Sequence, residues 1–199
     1  MIRTSPPVDG SGLTRAIARA RRVAEECILP AAGSSDAIFL ALRHWLRESS
    51  RVLLLDPTYG EYAHVLERVI GCEVQRFRLS REDGYCVDSA RLRSVLLNNY
   101  DLVVIVNPNS PTGRHVPRAE LGSVLVDSPQ ATRFWIDETY AEYAGPDESL
   151  EAFAAASPNV VVCKSMSKAY ALSGVRAAYL CASPQSIAES CGRSLHPGA

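Results

Sequence analysis

The sequence lacks the signatures of several common protein classes. It contains neither a G-x-G-x-x-G turn nor a Walker P-loop, so the usual signals for dinucleotide and nucleoside-triphosphate binding are missing. Its six cysteines form no C-x-x-C pair, and their spacing resembles neither a zinc site nor a disulfide framework. The four histidines are also scattered without metal-ligand spacing. We therefore expect no bound metal, and we expect the cysteines to be packed as small apolar side chains in a reducing compartment.

The chain also has no excess of one charge and no long apolar run. Twenty-one Lys and Arg residues oppose 22 Asp and Glu residues, so the formal charge is −1. No strong field is present to recruit nucleic acid or an anionic membrane. The longest apolar runs, such as LVVIVN, are far too short to cross a bilayer. The first twelve residues lack the apolar core of a secretory signal, so we predict a cytoplasmic protein without nucleic-acid or membrane partners.

What the sequence does contain is a regular alternation of strand-like and helix-like segments. Its 199 residues, 47% of them hydrophobic, suit one globular domain, or one domain and a fragment of another. Apolar strands separated by helical stretches predict a mostly parallel sheet covered on both faces, an α/β fold with three layers, α/β/α. The predicted sheet runs from about residue 50 to residue 182. We divide the chain into an irregular lead-in at 1–12, a large domain at 13–182 and a tail at 183–199.

Polar motifs fall where the predicted strands end, which is where parallel α/β folds place their binding sites. Two of these motifs also have a simple structural explanation. Gly33–Asp36 is either an ordinary helix N-cap or a phosphate site, since free N–H groups and the helix dipole favour an anion there. The loop Pro57–Tyr62 offers either a ring-stacking tyrosine or a packed loop aromatic. The loop Asn107–Gly113 is more elaborate than a simple turn requires.

Two charged residues at strand ends indicate which ligands and reactions the site could support. Asp137 ends the apolar strand RFWID, and a buried carboxylate there needs a cationic partner, such as a protonated ring nitrogen. Lys168 lies among small hydroxyl residues after the strand NVVVCK, with Arg176 eight positions later. Lysine can form a Schiff base, and serine and arginine can hold a phosphate.

Taken together, these motifs resemble the large domain of the fold-type I pyridoxal-phosphate enzymes. The similarity is greatest to the class I/II aminotransferases, especially the histidinol-phosphate aminotransferase branch, and spans roughly residues 10–182. Five motifs in the family's order and spacing carry it. The resemblance implies pyridoxal 5'-phosphate as the cofactor. It also implies a homodimer, and a second, smaller domain that is absent or truncated here. In such relatives that domain supplies an arginine for the substrate carboxylate, and no residue here is assigned that role.

The resemblance also implies a role for each matching residue. Lys168 is the Schiff-base lysine and the general base, Asp137 pairs with the pyridine nitrogen, and Tyr140 binds the phenolic O3'. Tyr59 stacks on the ring. The residues matched to the phosphate site are Ser34, Ser35, Asp36, Ser165 and Arg176. One position departs from the family, which has asparagine before Pro-Thr-Gly. Here Ser110 stands at that position and Asn109 precedes it, so either residue is a candidate for the O3' contact.

Three functions fit this pattern. The first is an aminotransferase that moves an amino group between an amino acid, or an amino-acid phosphate such as histidinol phosphate, and a 2-oxo acid. The second is a decarboxylase or other lyase on the same scaffold, because threonine-phosphate decarboxylases share nearly the same motifs. The third is a truncated protein that binds the cofactor or a partner chain without turnover.

Overall fold

Seven strands among the described residues form one sheet, which is the core of the protein. The structure, a computed structural model, describes residues 10–145 and 147–191. The strands run in the order β1-β7-β6-β5-β4-β2-β3. Their bounds are β1 Ile28–Ala31, β2 Arg51–Asp56, β3 Glu73–Arg78, β4 Leu102–Val106, β5 Arg133–Asp137, β6 Val160–Ser165 and β7 Ala178–Cys181.

The sheet is mostly parallel, as predicted. Strands β3, β2, β4, β5 and β6 are parallel to one another, whereas β7 is antiparallel to both β6 and β1. Every residue of β4 is buried, because layers of helices cover both faces of the sheet. The parallel strands therefore end along one edge, and the loops that follow them gather there.

The described residues form eight α-helices, most of which lie in two layers. They are α1 Ser11–Arg21, α2 Ser34–Trp45, α3 Gly60–Ala63, α4 Ser89–Leu96, α5 Arg118–Val126, α6 Ala141–Ala144, α7 Glu151–Ala156 and α8 Pro184–Cys191. Helices α1, α4, α5 and α7 contribute to the apolar core on one face of the sheet. Helices α2, α3 and α8 contribute to the core on the other face. This arrangement confirms the predicted three-layer α/β/α fold.

Several local details differ from the sequence-based expectations. Helix α1 begins at Ser11, inside the segment expected to be irregular, and residues 1–9 lie outside the described residues. One of the helix-like segments, residues 60–70, is a short α-helix followed by a π-helical segment, His64–Ile70. The tail predicted from residue 183 contains α8, and its residues 192–199 lie outside the described residues. None of the described helices has the length and apolarity that crossing a bilayer requires.

Candidate active site

A cavity opens at the edge where β2, β4, β5 and β6 end. Its volume is about 690 Å³, including space open to solvent, which suits a small organic molecule. It is lined by Ser34, Ser35, Tyr59, Val106, Ser110, Asp137, Thr139, Tyr140, Ser165, Ser167, Lys168 and Arg176. Nine of the eleven residues selected from the sequence therefore line one cavity, although they come from six separate segments of the chain.

The start of α2 and Arg176 form one side of this cavity. Gly33 precedes α2 with φ 106° and ψ 157°, a conformation that is essentially restricted to glycine. A Cβ atom added there would stand 2.6 Å from Nη2 of Arg176, so glycine allows the guanidinium to lie against the helix terminus. The exposed guanidinium has no hydrogen bond or ion pair with the part of the chain that the structure describes. A free cation beside a helix N-terminus is a fitting arrangement for a phosphate.

Asp137 is the buried acid of the site. It is 4% exposed, and burial raises the pKa of its carboxyl group. Three hydrogen bonds act in the opposite direction and favour the carboxylate. Tyr62 donates to Oδ2 at 2.6 Å, while the backbone N–H and the hydroxyl of Thr139 donate to Oδ1 at 2.9 Å and 2.7 Å. The site thus holds a buried acid whose carboxyl oxygens suit a cationic partner in the cavity.

The chain contains two lysines, and the structure separates them clearly. Lys168 is exposed and lines the cavity, and its ammonium group makes no ion pair within the described residues. Lys164 is 1% exposed and packs with three carboxylates. Neighbouring residues of a strand face opposite sides of the sheet, so Lys164 points away from the face of Ser165, which lines the cavity. Lys168 is therefore the amine available for chemistry in the cavity.

The structure places Ser110 in the cavity lining, and it places Asn109 in the supporting loop. The amide nitrogen of Asn109 donates to the carbonyl of Pro57 at 2.9 Å and to Oγ1 of Thr112 at 3.0 Å. Its amide oxygen accepts from the hydroxyl of Thr58 at 2.8 Å. Both amide N–H groups are thus engaged inside the protein, and of the two candidates Ser110 is the one that reaches the cavity.

Asp36 is the other predicted residue that does not line the cavity. Its Oδ2 accepts a hydrogen bond from the backbone N–H of Ala32 at 3.3 Å, which stabilises the turn before α2. Ser35 lines the cavity, but its hydroxyl donates to Oε2 of Glu61 at 3.0 Å. A phosphate at this end of α2 would therefore meet the backbone N–H groups and Arg176 more readily than the Ser35 hydroxyl.

Three further residues, Val106, Thr139 and Ser167, line the cavity without having been selected from the sequence. Thr139 and Ser167 lie inside motifs that were selected, between Asp137 and Tyr140 and between Ser165 and Lys168. Their hydroxyl groups at strand ends were the signal that could have found them. Ser167 also shares a hydrogen bond with Ser165, with 2.7 Å between the two Oγ atoms.

A buried ionic cluster on the opposite face of β6 was not anticipated from the sequence. The Lys164 cluster consists of Lys164, Arg21, Glu138, Glu142 and Glu151. Lys164 Nζ lies 2.6 Å from Glu142 Oε1, 3.4 Å from Glu138 Oε2 and 3.6 Å from Glu151 Oε2. Arg21 of α1 pairs with Glu142 and, at 3.3 Å, with Glu151. A lysine inside an apolar strand was its only sequence signal.

The Lys164 cluster also contacts the loop that carries Lys168. Tyr170 donates to Glu142 Oε1 at 2.8 Å and accepts a hydrogen bond from Arg21. The cluster thereby connects α1, α6 and α7 to the segment that follows Lys168. Its two cations face three carboxylates, so loss of either cation would leave buried negative charge uncompensated.

Comparison with known proteins identifies the family of the chain. The sequence model of the family "Aminotransferase class I and II" matches residues 4–196. The L-serine phosphate decarboxylase of Sulfurospirillum multivorans is 30% identical over 182 residues, covering 88% of this chain and 45% of that protein. The histidinol-phosphate aminotransferase of Aeromonas hydrophila is 34% identical over 163 residues, covering 81% of this chain and 44% of that protein.

A solved structure shows the same fold. The histidinol-phosphate aminotransferase of Sinorhizobium meliloti, in complex with pyridoxal-5'-phosphate, aligns with a TM-score of 0.87 at 22% identity, over 98% of this chain and 52% of that chain. The protein belongs to the class I and II aminotransferase family. It spans about half the length of the curated relatives that it matches, and the matched half has the fold of the large domain of the fold-type I pyridoxal-phosphate enzymes.

Proposed function

We propose that the protein catalyses pyridoxal-phosphate-dependent transfer of an amino group between an amino acid, or an amino-acid phosphate such as histidinol phosphate, and a 2-oxo acid. Family membership implies pyridoxal 5'-phosphate as the cofactor. The observation that carries the proposal is the gathering around one cavity of a buried acid with a lysine and an arginine that have no ion pair within the described residues.

The cavity offers a complementary group for each polar part of the cofactor. Arg176, Ser165 and the N-terminus of α2 suit the phosphate, and Asp137 suits the protonated ring nitrogen. Tyr140 and Ser110 are donors for the phenolic oxygen, and the exposed ring of Tyr59 is available for stacking. The Gly33 geometry supports this fit, because the space that a Cβ would fill is taken by the Arg176 guanidinium.

Bound pyridoxal phosphate would supply a carbonyl that reacts with amines and a ring that accepts electrons from the substrate's α-carbon. The residues of this chain do the remaining work. Lys168 Nζ would hold the cofactor, and its amine is the base that would move the proton at the substrate's α-carbon. Asp137 retains the proton on the ring nitrogen. The phosphate ligands keep the ring in place, so that the amine of Lys168 is already oriented for proton transfer.

A product assay tests the reaction type. The purified full chain is loaded with pyridoxal phosphate and offered amino donors, including histidinol phosphate, with and without a 2-oxo acid acceptor. Transamination requires the acceptor and yields a new amino acid. Cofactor binding without any product under either condition would contradict the proposed enzymatic function and favour a non-catalytic protein that binds the cofactor.

A second candidate function is decarboxylation. The 30% identity to an L-serine phosphate decarboxylase over 88% of this chain favours it. The same residues could serve this reaction, because the cofactor would supply the same electron-accepting ring for either reaction. Release of CO₂ from a phosphorylated amino acid without need for an acceptor would establish this alternative over transamination.

The proposal includes self-association as a homodimer. Apolar side chains are exposed near the cavity, among them Tyr143 at 71% and Val175 at 70% exposure. Exposed apolar groups of this size favour burial against a second copy. Light scattering on the sample used for the product assay reports the mass in solution. A monomer with full turnover would contradict the homodimer.

Gly33→Ala is expected to weaken pyridoxal phosphate binding by roughly 10- to 100-fold. The left-handed backbone is strained by any Cβ, and that Cβ also displaces the Arg176 guanidinium from the helix terminus. Losing a hydrogen bond to a charged group costs about 1.5–3 kcal/mol, which corresponds to this range. Equilibrium titration of the cofactor-free protein measures the effect.

Gly174→Ala is the matched control for this titration. Gly174 lies two residues before Arg176, and a Cβ at this position meets no atom within 4 Å. The affinity of Gly174→Ala for pyridoxal phosphate is therefore expected to equal that of the wild type. Equal affinities for wild type and Gly33→Ala would remove Gly33 and Arg176 from the proposed phosphate site.

A further inference from the structure

A chain of hydrogen bonds runs from the apolar core to the cavity through Tyr62. Tyr62 is fully buried in α3, and its hydroxyl lies 2.6 Å from Asp137 Oδ2. Nε1 of the buried Trp135 donates to the same hydroxyl at 2.8 Å. The ring of Tyr62 also packs edge-on against Tyr59, with 6.1 Å between the centroids. Tyr62 therefore contacts both a core tryptophan and two residues that line the cavity.

The chemistry of the donors fixes the direction of each hydrogen bond in this series. An indole N–H can only donate, so the Tyr62 oxygen accepts from Trp135 and its own O–H donates to Asp137. The backbone N–H of Thr139 can likewise only donate, and it binds the other carboxylate oxygen. Both oxygens of Asp137 are thus held as acceptors, and three of their roughly four lone-pair positions are filled.

We propose that Tyr62, itself held by Trp135, is a positioning residue that keeps Asp137 an acceptor and leaves one acceptor position for an N–H donor in the cavity. The proposal deepens the proposed function, and it rests on that function only where it assigns the donor to the ring nitrogen of the cofactor. Tyr62 acts through Asp137 and does not line the cavity itself.

Burial and the nearby charge of Glu61 favour the protonated form of Asp137. The opposing effect of Tyr62 on the pKa of Asp137 can therefore be measured. Burial raises the pKa of Asp137, and the nearby carboxylate of Glu61 raises it further. The hydrogen bond from Tyr62 lowers it. The remaining titratable groups around Asp137 are on β6, on the loop before α3 and on the cavity loops: Cys163, Tyr59, Tyr140 and Lys168.

The test is a titration of Asp137 in the cofactor-free full chain. Aspartate labelled with ¹³C at the carboxyl carbon is followed by NMR, and the Asp137→Asn spectrum assigns the signal. In Tyr62→Phe, the Asp137 carboxylate is expected to bind its proton about 10- to 100-fold more tightly than in the wild type, because it loses a hydrogen bond to its charged form. An unchanged midpoint in a folded Tyr62→Phe protein would overturn the proposal.

Tyr100→Phe is the matched control. Tyr100 is also buried, and its hydroxyl donates to Gln75 Oε1 at 2.7 Å. It lies in the apolar core on the face of the sheet opposite to Tyr62. The Asp137 midpoint is expected to be unchanged in this variant. A second measurement needs no variant: the ¹³Cζ signal of Tyr62 in the wild type should move with the same midpoint as Asp137. A Tyr62 signal that does not move during this titration would count against the proposal even if Tyr62→Phe failed to fold.

The titration also separates this proposal from the proposed function. If the chain does not bind pyridoxal phosphate, the cofactor assignment fails, but the Asp137 midpoint still decides the role of Tyr62. If the cofactor binds and the midpoint is the same in Tyr62→Phe, the positioning role fails and the function stands. With ¹⁵N-labelled cofactor, the ring-nitrogen signal of Tyr62→Phe should show a smaller protonated fraction than that of the wild type.

Discussion

Lys168→Ala is expected to abolish covalent capture of pyridoxal phosphate and to lower turnover by at least about 100-fold. The variant removes the amine that lines the cavity, and with it the proposed covalent attachment and the proposed base. Losing general-base catalysis alone typically costs a factor of 10² to 10⁴. Borohydride reduction of the loaded wild type, followed by peptide mapping, should place the pyridoxyl group on Lys168.

The second lysine provides the internal control for this mapping. Lys164 is 1% exposed, faces away from the cavity lining and is ion-paired, so it should carry no label in the wild type or in Lys168→Ala. A pyridoxyl group found on Lys164 would contradict the assignment of the reactive amine. Retention of full turnover by Lys168→Ala would contradict the proposed mechanism as a whole.

Lys164→Met is expected to lower the free energy of unfolding by about 3–5 kcal/mol. The substitution keeps most of the unbranched side chain but removes the cation that faces Glu138, Glu142 and Glu151. Removing one partner of a buried ionic group leaves uncompensated charge, and costs of this size are typical. Urea unfolding of the cofactor-free protein, followed by circular dichroism, measures the difference.

Lys168→Met is the matched control for stability, because it removes the other lysine from an exposed position without ion pairs among the described residues. Its free energy of unfolding should stay within about 0.5 kcal/mol of the wild-type value. If the two methionine variants were equally stable, the Lys164 cluster would contribute nothing specific to the fold.

The destabilisation by Lys164→Met should shrink in acid. Burial acts to raise the pKa of Glu142, but its hydrogen bond with Lys164 and the lysine charge outweigh burial and hold the pKa at about 2, below the ordinary value of 4.5. A carboxyl group with a depressed pKa adds stability above its unfolded pKa and loses it as the pH falls through the folded pKa. For Glu142 the loss falls between about pH 4.5 and pH 2. The difference between wild type and Lys164→Met should therefore decrease across this range.

The fold and most of the cavity could be predicted because their signals are local. A strand such as LVVIV shows its burial in its own composition, and the motif after each strand is contiguous in sequence. Parallel strands then bring their carboxyl ends together by topology, so Asp137 and Lys168 could be placed at one edge without coordinates.

The residues that were missed depend on contacts between distant segments. The Lys164 cluster joins residues from positions 21 to 164, and a salt bridge of that kind leaves no periodic pattern in the sequence. The outcome at Asn109 and Ser110 depends on hydrogen bonds to Thr58 and Pro57, on a different loop. Tyr62 appeared in the sequence only as the last residue of an aromatic motif, because its bond to Asp137 spans 75 positions.

The pairing of β1 with β7 has a consequence for the order of assembly. Ala31 is in register with Ala178, so this ladder closes a loop far longer than those between the parallel strands, and long loops are the slowest to close. Gly33 follows β1 by two residues, and Arg176 precedes β7 by two residues. The two sides of the proposed phosphate site therefore meet only when the first and last strands join. During synthesis, the polypeptide gains Lys168 before it gains β7, so the reactive amine exists before its phosphate anchor is complete.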